Sequence, residues 1–233
     1  MTGPFATCEF VPEVVEAFPL AFEACEALLY FAVANRPDEP PNKDAAGRLI
    51  FRTYVRSSKT YQGSFLLAGR GYGVQAGMLN RSLFEDMLVA HWIKRNPDEA
   101  PEKYERHRRH SVEQMREAMA KYGSESEMAH LPALSEEERE AHAKEFGFRG
   151  WTGLTLYELA KAVEEEWPEG KLDRGLLWWV FDIAHRFNNL LLHHSAMGLG
   201  LAAEDDASDG TIRYDVGPST AHVHGALFAA FFS

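Results

Sequence analysis

The stretch that decides the fold is Leu172–Leu199, LDRGLLWWVFDIAHRFNNLLLHHSAMGL, an apolar segment that carries a few polar residues. At about 100° per residue in an α-helix, four of those polar residues share one narrow face. They are Asp182, Arg186, Asn189 and His193. Tryptophan, phenylalanine and leucine cover the other sides, which predicts a helix enclosed by other helices. A buried polar stripe of this kind needs partners, because unpaired polar groups are costly in a core.

Helical periodicity also dominates the rest of the chain, and sustained alternation of polar and apolar residues is scarce. Predicted helices cover about 12–35 (with a kink at Pro19), 43–67, 74–95, 101–121, a short surface segment after Ser135, 155–167, and a last helix from about Pro218. Gly69, Gly71 and Gly73 mark a turn, Glu204–Gly210 reads as an acidic turn, and 211–216 is a candidate short extended segment. The sequence therefore predicts an all-α fold. We expect an irregular bundle of about six to eight helices in a single domain, residues 1–233, with a polar, charged insertion at about 123–150.

Composition narrows the cellular setting and the class of partner. The chain has 233 residues and a formal net charge of −11, whereas nucleic-acid-binding proteins usually carry a basic surface. Any contact with RNA or DNA must therefore be local, against an unfavourable overall field. The two cysteines, Cys8 and Cys25, form no disulfide framework, and neither a signal peptide nor a membrane-spanning run is evident. We expect a cytoplasmic protein without a membrane segment.

A second helix offers partners for the polar stripe. Arg81 and Glu85 lie one turn apart inside the apolar run Met78–Trp92. This setting favours an internal ion pair over a solvated one. We therefore predict that Arg81 and Glu85 face the stripe on the late helix. The alternative is that the stripe is purely structural and fixes the register of packed helices.

The chain resembles two known families of proteins at the residues described above. Arg186 and His193 enclose six residues, and this spacing resembles the R-x(4–6)-H motif of the HEPN superfamily of helical ribonucleases and toxins. Over residues 45–200 the chain also resembles an uncharacterised bacterial family of helical proteins. The segments that carry this second resemblance are Arg81-Ser82-Leu83-Phe84-Glu85, Gly150-Trp151 and Asn189-x-x-x-His193-His194-Ser195. Asn189 stands where that family has serine, and Phe187 follows Arg186 where the HEPN superfamily usually has a polar residue.

The HEPN resemblance implies a HEPN-like core and metal-independent cleavage of RNA that uses the ribose 2′-hydroxyl. His193 would act as general acid or base, and Arg186 would stabilise charge on the phosphate. Asn189 or Asp182 would orient them, with His194, Arg81 and Glu85 in support. The resemblance further implies a homodimer, no cofactor, and a toxin or antiphage-defence role in which a partner protein or antitoxin is expected. The alternative is a non-catalytic helical bundle that binds a partner protein or a small ligand.

Two further groups of residues bear on ligands. Arg48, Arg52, Arg56 and Lys59 share one face of their helix and form a candidate nucleic-acid-binding stripe, with Tyr54 and Tyr61 nearby to stack on bases. The alternative is a solvated face beside acidic neighbours. His107 and His110 have a spacing that can chelate a metal, and Asp182-x-x-His185 resembles half of a di-iron motif. Arginines surround the first pair and the second motif has no copy, so no metal site is predicted.

Overall fold

The computed structural model describes residues 10–35, 37, 39–40, 43–122, 133–146, 150–166, 174–187, 203–206, 211–214, 219–220 and 222–232. The helices and strands of these residues are α1 (Pro12–Ala17), α2 (Pro19–Ala34), α3 (Ala45–Gly69), α4 (Gly73–Arg95), α5 (Glu99–Ala120), α6 (Glu136–Phe146), α7 (Leu156–Glu166), α8 (Arg174–Val180), a π-helical turn (Phe181–Phe187), β1 (Ala203–Asp206), β2 (Thr211–Tyr214) and α9 (Val223–Phe232). The predicted all-α fold class is confirmed.

Pro19 divides the first predicted helix into two. Because proline has no backbone N–H, it cannot continue the hydrogen bonds of a preceding helix, but it fits the first turn of a new one. Accordingly α1 ends at Ala17 and Pro19 begins α2. The predicted kink is a full break, with Phe18 between the two helices.

The glycine-rich segment between α3 and α4 is the predicted turn. Gly71 has a φ of 79°, a left-handed conformation that favours glycine. The N–H of Tyr72 donates to the carbonyl of Leu67 over 2.9 Å, which closes the end of α3. The ring of Phe10 packs so closely on Gly69 that an added Cβ would lie 2.5 Å from it. The turn therefore requires glycine at both positions.

The chain divides into two compact units. The first contains Met1–Pro41, Phe51–Met87 and Trp167–Ser233, and the second contains Asn42–Ile50 and Leu88–Glu166. Two of the four boundaries fall inside helices, since Ile50 and Phe51 belong to α3 and Met87 and Leu88 belong to α4. The elements of each unit are therefore drawn from separate parts of the sequence.

The core of the first unit lies where α2, α3, α4 and α9 meet, and its buried residues are Val14, Phe22, Cys25, Leu29, Tyr61, Phe65, Ala68, Ala76, Leu83, Val223, Ala226, Leu227 and Ala230. A buried polar chain crosses this core. The hydroxyl of Ser64 donates to Asn80 over 2.7 Å, and the amide of Asn80 donates to the carbonyl of Ala226 over 2.7 Å. Because both groups are buried and satisfied, they fix how α9 is placed against α4.

The second unit has an aromatic centre and a buried acid. The ring of Trp151 meets those of Trp92 and Tyr104 edge-on, with centroids 5.3 and 5.6 Å away. Buried Glu113 accepts hydrogen bonds from Arg116 over 2.5 Å and from the backbone N–H of Leu134 over 3.3 Å. These contacts hold the segment before α6 against α5.

Two short strands, β1 and β2, form an antiparallel pair. Ala203 in β1 pairs with Tyr214 in β2, and Asp206 pairs with Thr211. The extended segment predicted from Thr211 is present over Thr211–Tyr214. The acidic turn predicted over Glu204–Gly210 is wrong at residues 204–206, which are strand, and its other residues lie outside the described part of the chain. No helix among the described residues is both long enough and apolar enough to span a membrane.

Candidate functional site

The candidate site is built where α4 meets the start of the late helix. The rings of Phe84 and Phe181 are edge-on with centroids 6.0 Å apart, and both side chains are buried. Trp178 packs on the same Phe181 ring with centroids 5.4 Å apart. Aromatic contacts of this geometry stabilise beyond their buried area, so they hold the two elements firmly together. The predicted pairing of α4 with the late helix is thus present in the structure.

The late helix is not the continuous α-helix predicted over residues 172–199. It is α-helical over Arg174–Val180 and π-helical over Phe181–Phe187. In a π-helix each N–H bonds to the carbonyl five residues earlier, so each residue turns through less than 100°. A π-helix has more residues per turn than an α-helix, so positions 182 and 186, four residues apart, still lie on one face of this turn.

Solvent reaches the beginning of the predicted polar stripe. Asp182 is exposed, although Val180 and Phe181 before it are buried. His185 is half-buried, with its ring 5.2 Å from the ring of Phe181. The predicted stripe therefore begins at a residue that is in contact with water. The π-helical turn has one buried aromatic side and one side open to water.

Arg81 and Glu85 form the predicted ion pair, with Nε and Oε1 2.8 Å apart. Their side chains are 28% and 35% exposed, so the pair is half-exposed rather than internal. An ion pair of this kind within one helix stabilises a protein by about 0.3–0.5 kcal/mol. This contribution is too small to explain why two charged residues occur in a helix that is otherwise largely buried. On α4 Arg81 lies about 60° round from Phe84. The pair therefore flanks the side of α4 that contacts the π-helical turn. Whether it faces the stripe stays a prediction.

The buried acid of α4 is Asp86, which the sequence reasoning missed. Its side chain is 1% exposed and forms an ion pair with Arg56, whose side chain is 67% exposed. The guanidinium of Arg56 donates to both carboxylate oxygens, and Ser57 donates to one of them over 2.9 Å. Asp86 follows Glu85 directly, so the only sequence signal was a second acid in the same apolar run. It lies about 100° away from Glu85, on the side that faces α3.

The predicted basic stripe on α3 is only partly available to a phosphate. Arg48, Arg52, Arg56 and Lys59 are all exposed. Arg56 is bound to Asp86, whereas Arg52 and Lys59 form no ion pair within the described part of the chain. Tyr61 cannot stack on a base because it is buried, whereas Tyr54 is half-buried and its role stays a prediction. Tyr61 is buried and donates to the carbonyl of Cys25 over 3.0 Å, and Tyr54 donates to the carbonyl of Ala32 over 2.8 Å.

A cavity of about 170 Å³ lies between α2 and α3, and its lining includes Leu29, Val33, Tyr54 and Lys59. Ligand pockets usually occupy about 300–1,000 Å³, so this cavity is small for an organic ligand. Cys25, which packs deeper in the same unit, has a pKa raised by burial and makes a poor nucleophile. These features do not add a reactive group to the candidate site.

The structure adds a third histidine to His107 and His110. The ring of His142 on α6 lies 6.1 Å from the ring of His110, which in turn lies 6.4 Å from that of His107. No group of three or more potential metal ligands among the described residues is arranged to hold a metal ion. Burial lowers the pKa of both His107 and His142, and the neighbouring His110 lowers both further.

The remaining residues proposed for catalysis fall beyond the π-helical turn. Asn189, His193 and His194 lie outside the described residues, and for Arg186 the described part is the backbone, within the turn. The structure therefore places Arg81, Glu85, Asp182 and the backbone of Arg186 in one unit. The roles of the catalytic side chains stay predictions.

Comparison with known proteins gives a family but no function. Residues 47–207 match a family of unknown function, DUF5677. The match runs from α3 to β1, and it leaves out α1, α2, β2 and α9. No curated protein and no solved structure matches the chain.

Proposed function

Because the chain belongs to the DUF5677 family, whose function is unknown, we propose its function from the candidate site itself. The protein is a metal-independent ribonuclease of the HEPN toxin or antiphage-defence type. Arg186, His193 and Asn189 act on the ribose and phosphate of RNA, with Asp182 and His194 in support. Arg81 and Glu85 flank this site from α4.

The observation that carries the proposal is the π-helical turn Phe181–Phe187, which contains the arginine of the R-x(6)-H motif. π-Helical turns are rare and occur frequently at functional sites, because they cost stability relative to a regular α-helix. This turn is also anchored on its aromatic side at Phe84 and open to solvent at Asp182. An RNA strand can approach such a turn, whereas it cannot approach a helix that is enclosed on all sides.

The chemistry needs no metal ion. A neutral His193 accepts the proton of the ribose 2′-hydroxyl, whose oxygen attacks the adjacent phosphorus. As this bond forms, the bond from phosphorus to the 5′-oxygen breaks. A water molecule protonates the leaving oxygen, and the resulting hydroxide takes the proton from His193, which returns to its neutral form. The guanidinium of Arg186 binds the phosphate oxygens, where negative charge grows in the transition state. DNA lacks the 2′-hydroxyl and is not cleaved.

Expression in a bacterial host tests the proposal. We expect wild-type protein to arrest growth and the purified protein to cleave RNA in the presence of EDTA. Arg186→Ala and His193→Ala should each relieve the arrest and lower the cleavage rate by about 10²–10⁴-fold. The matched controls are Arg108→Ala and His224→Ala, because both residues are exposed and lie outside the candidate site. Both controls should behave as wild type.

The proposal fails if wild type and all four variants are equally harmless and leave RNA intact. It also fails if the two control variants lose cleavage as fully as Arg186→Ala and His193→Ala do. The second candidate is a non-catalytic helical bundle that binds a partner protein. It is favoured by the large apolar side chains that α2 exposes, Leu20 and Phe31 above all.

A further inference from the structure

Helix α2 is apolar on two opposite faces. Its inner face carries Phe22, Cys25 and Leu29, which are buried in the core of the first unit. Its outer face consists of Leu20, Ala24, Ala27, Phe31 and Ala34, which lie within about 40° of one line along the helix. Leu20 is 79% exposed and Phe31 is 66% exposed. The outer face is therefore an apolar surface in contact with water.

A helix that is apolar all round is normally buried all round. The outer face also has an ordered spacing, because its residues follow one another at intervals of four, three, four and three. This is the spacing by which two helices pack their side chains into each other along a shared seam. Contiguous exposed apolar surface of this kind marks a protein interaction site. The partner is therefore expected to be a helix.

We propose that the outer face of α2 pairs with the same face of a second copy of this chain, antiparallel, with the two-fold axis at Ala27. Leu20 and Ala34 are each seven residues from Ala27, so the axis places the leucine of one copy opposite the small alanine of the other. Phe31 lies four residues after Ala27 and Ala24 three before it, so these two residues also meet as large against small. The surface is self-complementary, as a two-fold interface requires.

Charge also distinguishes the antiparallel from the parallel arrangement. Residues 10–35 contain no lysine or arginine, and Glu23 is the charged residue beside the outer face. A parallel pair would place the two Glu23 carboxylates side by side and set Leu20 against Leu20. The antiparallel pair separates the carboxylates by about 12 Å along the helix axis, beyond the Debye length of about 8 Å at physiological ionic strength. Repulsion between the two copies is therefore screened.

This interface does not depend on the proposed ribonuclease activity. Helix α2 lies outside the matched range 47–207, and none of the proposed catalytic residues belongs to it. The HEPN resemblance also implies a homodimer, but Phe31→Glu leaves Arg186 and His193 unchanged, so the association state and RNA cleavage of this variant test the two proposals separately.

Sedimentation velocity over a range of concentrations tests the association. One helix pair buries less than a standard interface, so we expect a reversible dimer that dissociates on dilution through the micromolar range. Phe31→Glu should weaken the dimer by at least about tenfold without changing the helical circular dichroism, because the side chain is exposed in one copy. Met115→Glu, an equally drastic change at an exposed residue of α5, should leave the dimer intact. A wild-type chain that stays monomeric at about 100 μM would overturn the proposal.

Disulfide trapping tests the geometry. Ala27→Cys places a thiol on the two-fold axis, where the Cα atoms of the two copies come within disulfide range, and should give a covalent dimer on mild oxidation. Leu20→Cys should not, because its two thiols would be about 21 Å apart along the axis. Wild-type protein controls for Cys8 and Cys25. Equal trapping at both positions, or none at Ala27→Cys, would refute the antiparallel pairing.

Discussion

Asp86 is the most deeply buried acid described in the first unit, and its environment differs greatly from that of Glu85 beside it. Its carboxylate accepts hydrogen bonds from Arg56 and Ser57 on α3. Arg56 reaches it from the protein surface, with most of its side chain in water. An anion in this position is stable only while a cation or several donors compensate for its lost hydration.

Arg56→Ala should therefore destabilise the protein by about 1–3 kcal/mol, measured by urea unfolding. The figure lies below that for a fully buried pair because water can enter beside an exposed arginine. Arg52→Ala is the matched control, since Arg52 lies one turn away on the same face and forms no ion pair within the described part of the chain. Its effect should stay within about 0.5 kcal/mol.

A double-mutant cycle separates this ion pair from other effects of the arginine side chain. Adding Asp86→Asn to Arg56→Ala removes the uncompensated charge, so the double variant should recover most of the lost stability. If the two single losses simply add, the pair is not coupled and this account of Asp86 is wrong.

The sequence located the right segment of α4 but not the right acid. Arg81 and Glu85 were predicted to be internal because they interrupt an apolar run, and Asp86 interrupts the same run. Only the rotation of the helix against α3 decides which acid is buried. That rotation depends on packing between distant parts of the chain, which a local pattern does not contain.

The contact between α5 and α6 contains an unusual number of histidines. His107 and His110 of α5 and His142 of α6 surround Phe146, with centroids 5.1, 6.2 and 5.8 Å from its ring. His142 is buried, and its Nδ1 has no hydrogen-bond partner among the described residues. Two ion pairs flank the contact, Arg106–Glu145 at 2.6 Å and Arg109–Glu138 at 3.0 Å. A protonated His142 would bury a charge and a donor without an acceptor.

We expect the stability of this contact to fall as the pH drops below about 6.5, the usual pKa of histidine. The folded pKa values of His107 and His142 are lowered, chiefly by burial and then by His110. In that pH range the unfolded chain binds more protons, so the free energy of unfolding decreases with falling pH. Glu138 and Glu145 oppose the shift at His142 but do not outweigh it. Thermal unfolding at about pH 7.5 and about pH 5.5, roughly one unit either side of 6.5, measures the effect.

His142→Phe provides the test of cause. Phenylalanine keeps the aromatic packing and cannot be protonated, so the melting temperature of this variant should depend less on pH than that of wild type. His224→Phe is the control, because His224 is exposed. A pH dependence that is identical in wild type and His142→Phe would show that the histidine contact does not respond to acid.

At the level of helices, the bounds predicted from the sequence were most accurate where a capping or breaking residue marks the end of a periodic run. The predicted helix 74–95 corresponds to Gly73–Arg95, and 155–167 corresponds to Leu156–Glu166. Thr155 and Glu158 cap the latter reciprocally, with hydrogen bonds of 2.7 and 3.2 Å. The π-helical turn escaped prediction because helical periodicity was read at one fixed angle per residue.

Across the whole molecule, a net charge of −11 opposes RNA, so binding must depend on the few cations that carboxylates leave free. Among the described residues, no carboxylate pairs with Arg52 or Lys59, and both are exposed. Given the proposed ribonuclease activity, replacing both with Gln in a His193→Ala background should weaken the binding of single-stranded RNA. The slope of log affinity against log salt concentration should become shallower by about 1.4.

The control for this experiment is Arg108→Gln, because Arg108 already forms an ion pair with Glu105 at 2.5 Å. Its salt slope should match that of the His193→Ala background. An unchanged slope in the Arg52 and Lys59 double variant would remove α3 from the RNA surface, while leaving the growth-arrest test of Arg186 and His193 unaffected.

The division into two units also concerns the whole molecule. Of its four boundaries, those after Pro41 and Glu166 lie at or near prolines, whereas the other two have no local signal in the sequence. A single domain was predicted because 233 residues fit one domain and the polar insertion at about 123–150 does not resemble a domain linker. The divisions at Ile50 and Met87 fall within continuous helices, where local composition does not change. Only contacts between segments far apart in sequence reveal them.

The same long-range contacts determine when the first unit can fold during synthesis of the chain. The thiol of Cys25 donates to the carbonyl of Leu227, 202 residues later, and Asn80 bonds Ala226, 146 residues later. At about 5–20 residues per second, a ribosome needs roughly 10–40 s to supply α9 after Cys25. Residues 88–166 are complete well before then, so the second unit can fold first. The first unit meanwhile presents an unfinished apolar core, and during that interval the nascent chain is most in need of a chaperone.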